Sequence, residues 1–149
     1  MAQFNNLQLI LDEIKVTLYH LKDEEFDGFA SEVTETSRIF VAGKGRSGFV
    51  ANSFAMRLNQ LDKDAYIIGE STTPSILTGD LFVVIPGSGS TEHLRLLADK
   101  AKSVEADVVL ITTKFDSAIG EIADTVVELP SGTKHDADSS DQPLGSLFE

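Results

Sequence analysis

The chain has 149 residues, 42% of them hydrophobic, no cysteine, and a formal net charge of -12 from 24 acidic and 12 basic side chains. This length supports one domain with its own core, and the lack of cysteine excludes disulfides and thiolate metal sites. The acidic balance, with no cluster of Lys or Arg, argues against a nucleic-acid partner, which would need a basic face.

The N-terminal stretch MAQFNNLQLILDEI carries no basic leader and no uninterrupted apolar run. Neither a signal peptide nor a membrane span is expected, and cytoplasm is the expected compartment. Phe4, Leu7, Leu11, Ile14, Leu18 and Leu21 recur at spacings of three and four. That spacing predicts an amphipathic helix with a heptad-like stripe, which packs on its own domain, on a neighbouring subunit, or on both. His20 is expected on its surface. A second helix is expected over 24–36, with Phe26, Phe29, Ala30 and Val33 facing inward.

Ile39-Phe40-Val41 reads as the first strand. It runs into Ala42-Gly43-Lys44-Gly45-Arg46-Ser47-Gly48 and then a helix through Phe49, Val50, Phe54, Ala55 and Leu58. Gly43, Gly45 and Gly48 match G-x-G-x-x-G, a dinucleotide fingerprint when a strand precedes and a helix follows. Glu70, after the strand-like run 65–69, stands where a ribose-binding acid would. Against that reading, Lys44, Arg46 and Ser47 suit a terminal phosphate, and a dinucleotide domain has no need of the long helix before its first strand. Arg57 is expected to be structural, an ion-pair partner on its helix.

The segment 70–80, ESTTPSILTGD, reads as a hydroxyl-rich loop closed by a Gly-Asp turn. Leu81 to Ile85 are five apolar residues in a row, the mark of a strand buried on both faces. Gly87-Ser88-Gly89-Ser90-Thr91 follow, and then a helix with Leu94, Leu97, Ala98, Ala101 and Val104 on one side. A strand, Gly/Ser loop and helix in that order aim backbone N–H groups and the positive end of a helix dipole at one point, and glycines let an anion approach closely. The natural guest is a phosphate; a plain polar turn with a Ser or Thr N-cap is the alternative.

A fourth strand is expected at 108–111, then Thr112-Thr113, a short helix near 117–123, and a fifth strand at 125–129 stopped by Pro130. Strands alternating with helices predict an α/β fold: a five-stranded parallel sheet, doubly wound into a three-layer sandwich, with the flavodoxin-like order 2-1-3-4-5. The crevice of such a sheet lies between strands one and three, which carry the two Gly loops, so the two phosphate signals predict one shared site. The single domain divides into N-terminal helices over 3–36, a sheet core over 37–130, and a polar loop and tail over 131–149.

With these residues identified, the chain resembles the sugar isomerase (SIS) domain family and, within it, the 6-phospho-3-hexuloisomerase branch. The resemblance rests on AGKGRSG at 42–48, FAMRL at 54–58, GESTTP at 69–74, GDL at 79–81, GSGST at 87–91 and PLGSLFE at 143–149. Pro86 and Ser90 depart from that pattern at positions that do not carry the phosphate-binding hydroxyls. The resemblance implies a closing helix after PLGSLFE, and the sequence stops before one. It further implies a homo-oligomer, tetramer or dimer, and interconversion of D-arabino-hex-3-ulose 6-phosphate and fructose 6-phosphate in the ribulose monophosphate pathway of formaldehyde fixation. No metal and no organic cofactor are implied.

By position in the motifs, the resemblance implies that Ser47, Ser88 and Thr91 hold the phosphate, with Gly45, Gly89 and Ser90 beside them, and that Glu149 is the catalytic base. Glu70, Thr72 and Thr73 are candidates for binding the sugar. Arg46 is a candidate for stabilising the enediolate, and His93 or His135 for opening the furanose ring. A binding module of the same fold without chemistry, and an isomerase for another sugar phosphate, remain open at this point.

Overall fold

The computed structural model describes residues 2–87, 92–114 and 117–131. Helix α1 spans Ala2–Tyr19, α2 Asp23–Glu35, α3 Arg46–Gln60 and α4 Glu92–Ser103; strand β1 spans Arg38–Gly43, β2 Asp64–Ile67, β3 Leu81–Ile85, β4 Asp107–Thr112 and β5 Thr125–Glu128. All strand pairs are parallel, in the order β2-β1-β3-β4-β5. This is the expected doubly wound sheet. Because β1 is flanked by β2 and β3, the order is also not the 3-2-1-4-5-6 of a dinucleotide domain.

Side-chain alternation sorts the core into two layers. Ile39 and Val41 of β1, with Leu81, Val83 and Ile85 of β3, meet Ala51, Ala55 and Leu58 of α3, and Phe29 and Val33 of α2 pack against them. Phe29 and Phe54 touch at a centroid distance of 6.0 Å and bring α2 against α3. On the other face Phe40, Phe82, Val84 and Leu110 meet Leu94, Ala98 and Ala101 of α4, together with Ile119. Every residue of β3 is buried, as its uniform apolar run requires.

Two expectations are revised. Residues 117–123 form turns around a buried Ile119 rather than a helix. The bonds Glu121 N–H to Ser117 O and Ala123 N–H to Ile119 O close single turns only, and so short a segment does not propagate a helix. Phe26 is 50% exposed rather than inward. It sits level with the C-terminal end of β5, where Glu25 accepts from the Glu128 N–H and the sheet ends. Of the coverings open to the α1 stripe, the chain's own domain leaves Leu7, Leu11, Ile14 and Leu18 exposed, and among the described side chains of α1 Thr17 is the buried one.

Two helix ends carry side chains in left-handed backbone, Asp62 after α3 at φ 61° and Glu105 after α4 at φ 59°. Each closes a 6→1 bond, Lys63 N–H to Leu58 O and Ala106 N–H to Ala101 O, where glycine is the favoured residue. Glu105→Gly is expected to raise stability by about 0.5–1 kcal/mol in urea unfolding.

Helix α2 docks on β5 through carboxylates. Thr125 donates its hydroxyl to Glu32 Oε1, while Glu32 Oε2 is buried without a partner. Burial pushes the Glu32 carboxyl above its ordinary range; the Thr125 bond opposes this, and the nearby charges of Asp107 and Asp124 add to it. A carboxyl whose folded-state pKa is raised opposes folding while charged, and stability is gained as pH falls through that raised value. Glu32→Gln is therefore expected to raise the urea midpoint at neutral pH, an advantage that shrinks as the pH falls toward the ordinary carboxylate range.

Candidate active site

The C-terminal end of β1 is built for close approach. A Cβ on Gly43 would lie 2.6 Å from the Ser47 carbonyl oxygen and 2.8 Å from the Gly48 nitrogen, so the first turn of α3 folds directly against the strand end. Gly48 returns the contact, its own Cβ position 3.2 Å from the Gly43 oxygen. Gly45 takes φ 61° and ψ -134° as the N-cap of α3 and makes no side-chain cap. A helix start capped by bare backbone presents its first-turn amides, with the positive end of the helix dipole, to the space above the sheet. Lys44 and Arg46 stand exposed beside it. Against a net charge of -12, these are the local positive groups that an anion would need.

The second Gly loop meets the first. Register pairs Gly43 with Ile85, so the chain leaves β1 and β3 side by side. Gly87, at φ 51°, would place a Cβ 2.5 Å from Ser47 Oγ and 3.2 Å from the Lys44 oxygen. Ser47 is 0% exposed beneath it. The expected phosphate-binding serine thus lies in the floor where the two loops touch rather than on an open surface. Ser88, Gly89, Ser90 and Thr91 lie outside the described residues, as do His135 and Glu149.

One strand over, the segment 69–80 brings the other candidates together. Glu70 and Thr72 are exposed. Thr73 is committed locally: its hydroxyl donates to Ile67 O at 2.5 Å and its N–H to Glu70 O at 3.1 Å. Glu70, Thr72 and Thr73 border a hollow of about 700 Å³ whose opposite wall is Met56, Asn59 and Gln60 of α3. Neighbouring strands lie about 4.8 Å apart, so the end of β2 that begins this segment is adjacent to the Gly43 loop. His93 is exposed on the first turn of α4, and Arg57 donates to Gln60 Oε1 at 2.9 Å. Among the described residues, no three His, Asp or Glu side chains converge as a metal site would require.

Two features escaped the sequence reading. Asn59 donates to Ala65 O at 2.9 Å and accepts from Ala65 N–H at 3.0 Å, which closes the open edge of β2 as a neighbouring strand would. Thr112, buried at the end of β4, accepts from the Lys114 N–H at 3.3 Å and donates to Lys114 O at 3.1 Å. This turns Thr113 and Lys114 over the C-terminal edge of the sheet. A hydroxyl at the last position of an apolar strand was the available signal for the second; nothing in the sequence pointed to the first.

Comparison with known proteins gives a consistent result. The SIS domain family matches residues 32–143. A Bacillus subtilis protein named 3-hexulose-6-phosphate isomerase is 41% identical over 143 residues, covering 94% of this chain and 77% of its own. A Mycobacterium gastri protein of the same name is 40% identical, covering 97% of this chain and 74% of its own. Among solved structures, a hypothetical protein from Methanococcus jannaschii, whose description infers the molecular function of 3-hexulose-6-phosphate isomerase, superposes with a TM-score of 0.79 at 32% identity, covering 97% of this chain and 80% of its own.

Proposed function

The chain belongs to the SIS domain family, and from that premise we propose that it is an isomerase interconverting D-arabino-hex-3-ulose 6-phosphate and fructose 6-phosphate. The observation that carries the reading is the contact of the two Gly loops at Ser47 and Gly87, in a chain about 40% identical to proteins named for that activity. The phosphate sits above this floor. The first-turn amides of α3, Lys44, Arg46 and the hydroxyls of Ser88, Ser90 and Thr91 supply the donors, and Ser47 holds the two loops together. Glu70 and Thr72 face the sugar from the neighbouring strand end. The reaction serves the ribulose monophosphate route of formaldehyde fixation, in the cytoplasm.

The chemistry moves a carbonyl by one carbon. A base takes the proton from carbon 2, beside the carbon 3 carbonyl; the enediolate is held by nearby donors; and the proton is returned to carbon 3. Glu149 acts as that base and Arg46 as a donor to the enediolate. A 3-ketose phosphorylated at carbon 6 has no hydroxyl left to close a five- or six-membered ring, so it binds open. Only the reverse reaction, from the furanose, needs a ring-opening acid, and His93 takes that part. Run in D2O, the reaction is expected to give fructose 6-phosphate with deuterium at carbon 3; product without solvent deuterium there would mean that the carbon 2 hydrogen passes to carbon 3 without exchange, as a hydride or on a base closed to water.

The exposed row Leu7, Leu11, Ile14 and Leu18 on α1 is covered by a second copy of the chain in a homo-oligomer, because monomers rarely leave such a row in water. Leu11→Asp with Leu18→Asp is expected to shift the particle mass in light scattering to that of one chain; an unchanged mass would remove α1 from the interface.

A further inference from the structure

The connection from β2 to β3 must pass over β1, and it does so without a helix. Residues 69–80 form a strap across the face that carries Phe40 and Tyr66, with Ile76 packed against that layer. A strap of this length with no regular hydrogen bonding needs anchors: Thr78 Oγ1 donates to Val104 O at 2.9 Å and the Gly79 N–H to Glu105 O at 3.3 Å, and two further anchors tie the strap to β2 and β1. At the upper end, Thr73 bonds to Ile67 O. At the lower end, the anchor is Arg38, the first residue of β1.

The Arg38 guanidinium lies 5.3 Å from the centroid of Phe40 and 5.8 Å from that of Tyr66, on two rings that themselves stack at 5.1 Å. From there Arg38 Nη2 donates to Ser75 O at 2.8 Å and pairs at 3.3 Å with Asp80 Oδ2. Asp80 is buried, and its Oδ2 also accepts the Leu77 N–H at 2.7 Å. One planar cation therefore ties the middle of the strap, its end and two aromatic rings to the sheet. Both polar contacts leave from the one nitrogen Nη2, and what a lysine could not reproduce is the planar cation lying on the two rings. The geometry exceeds what holding β1 in the sheet requires, since β1 is already paired on both sides.

We propose that Arg38 is a positioning residue for the sugar: by fixing Ser75 it sets the strap that presents Thr72 and Glu70, three and five positions earlier. This rests on the reading of those two side chains as sugar contacts. Arg38 reaches Glu70 and Thr72 through the strap, to which the two Gly loops do not belong, so it acts on sugar recognition and not on phosphate capture.

Calorimetric titration of the parent and of Arg38→Met combined with Asp80→Asn, using fructose 6-phosphate and, separately, inorganic phosphate, tests this. The Asn keeps an acceptor for the Leu77 N–H and leaves no lone buried charge, and urea unfolding checks that the variant is folded. The expected result is fructose 6-phosphate binding weakened about 10-fold, the scale of one lost preorganising hydrogen bond, with phosphate binding unchanged. Both affinities unchanged, or both weakened alike, would overturn the proposal. A parent that binds fructose 6-phosphate no more tightly than phosphate would instead overturn the reading of Glu70 and Thr72 as sugar contacts, and the proposal with it.

Discussion

Gly43→Ala is expected to destabilise the protein by about 3 kcal/mol or more, because the added methyl has nowhere to go. Its position is 2.6 Å from the Ser47 oxygen, 2.7 Å from the Ser47 carbonyl carbon and 2.8 Å from the Gly48 nitrogen. All three are backbone atoms of the first turn of α3, so no rotamer change relieves the clash. Either the turn lifts off the strand or β1 shifts within a sheet paired on both its sides. Urea unfolding would show the loss, and phosphate would no longer raise the melting temperature, since the displaced turn carries the amides proposed to hold it. Gly45→Ala is the matched control. Nothing lies within 4 Å of its Cβ position, but φ 61° with ψ -134° is a glycine conformation, so the cost is conformational alone, about 1–3 kcal/mol. Equal losses for the two variants would mean that close packing of strand against helix is not what Gly43 provides.

Glu149→Gln is expected to lower kcat about 100-fold or more, the scale of losing a general base, with little change in KM because the phosphate donors are untouched. His93→Ala makes the contrast. Because the equilibrium constant fixes the ratio of kcat/KM in the two directions, the contrast is read in kcat alone: kcat from the furanose falls, and kcat from the open-chain 3-ketose holds. Steady-state rates measured in both directions separate the roles. Equal slowing both ways in His93→Ala would place it in the proton transfer rather than in ring opening.

The sheet was legible in the sequence because its strands are short apolar runs bounded by Gly, Pro or Asp. Leu81 to Ile85 announced a strand buried on both faces, and the Gly loops after β1 and β3 fixed the end of the sheet at which to look. What stayed hidden depends on through-space relations. The burial of Ser47 follows from Gly87 lying over it, 40 residues further along the chain. The half-exposure of Phe26 follows from the sheet ending at β5, which helical periodicity cannot register. Residues 117–123 show helical spacing but are too short to propagate. Arg38 reads as an ordinary polar residue at a strand start, and only the path of the strap over Phe40 and Tyr66 gives it partners. Within the site, composition indicated that the two Gly loops lie together, whereas the commitment of the Thr73 hydroxyl to Ile67 O belongs to a turn that the hydroxyl-rich run alone did not specify.

The most direct test of the isomerase assignment is turnover by this protein of enzymatically made D-arabino-hex-3-ulose 6-phosphate, with fructose 6-phosphate read through a coupled dehydrogenase. The account predicts saturable conversion that inorganic phosphate inhibits competitively. No conversion, with fructose 6-phosphate still raising the melting temperature, would contradict it and leave a sugar-phosphate-binding module of the same fold.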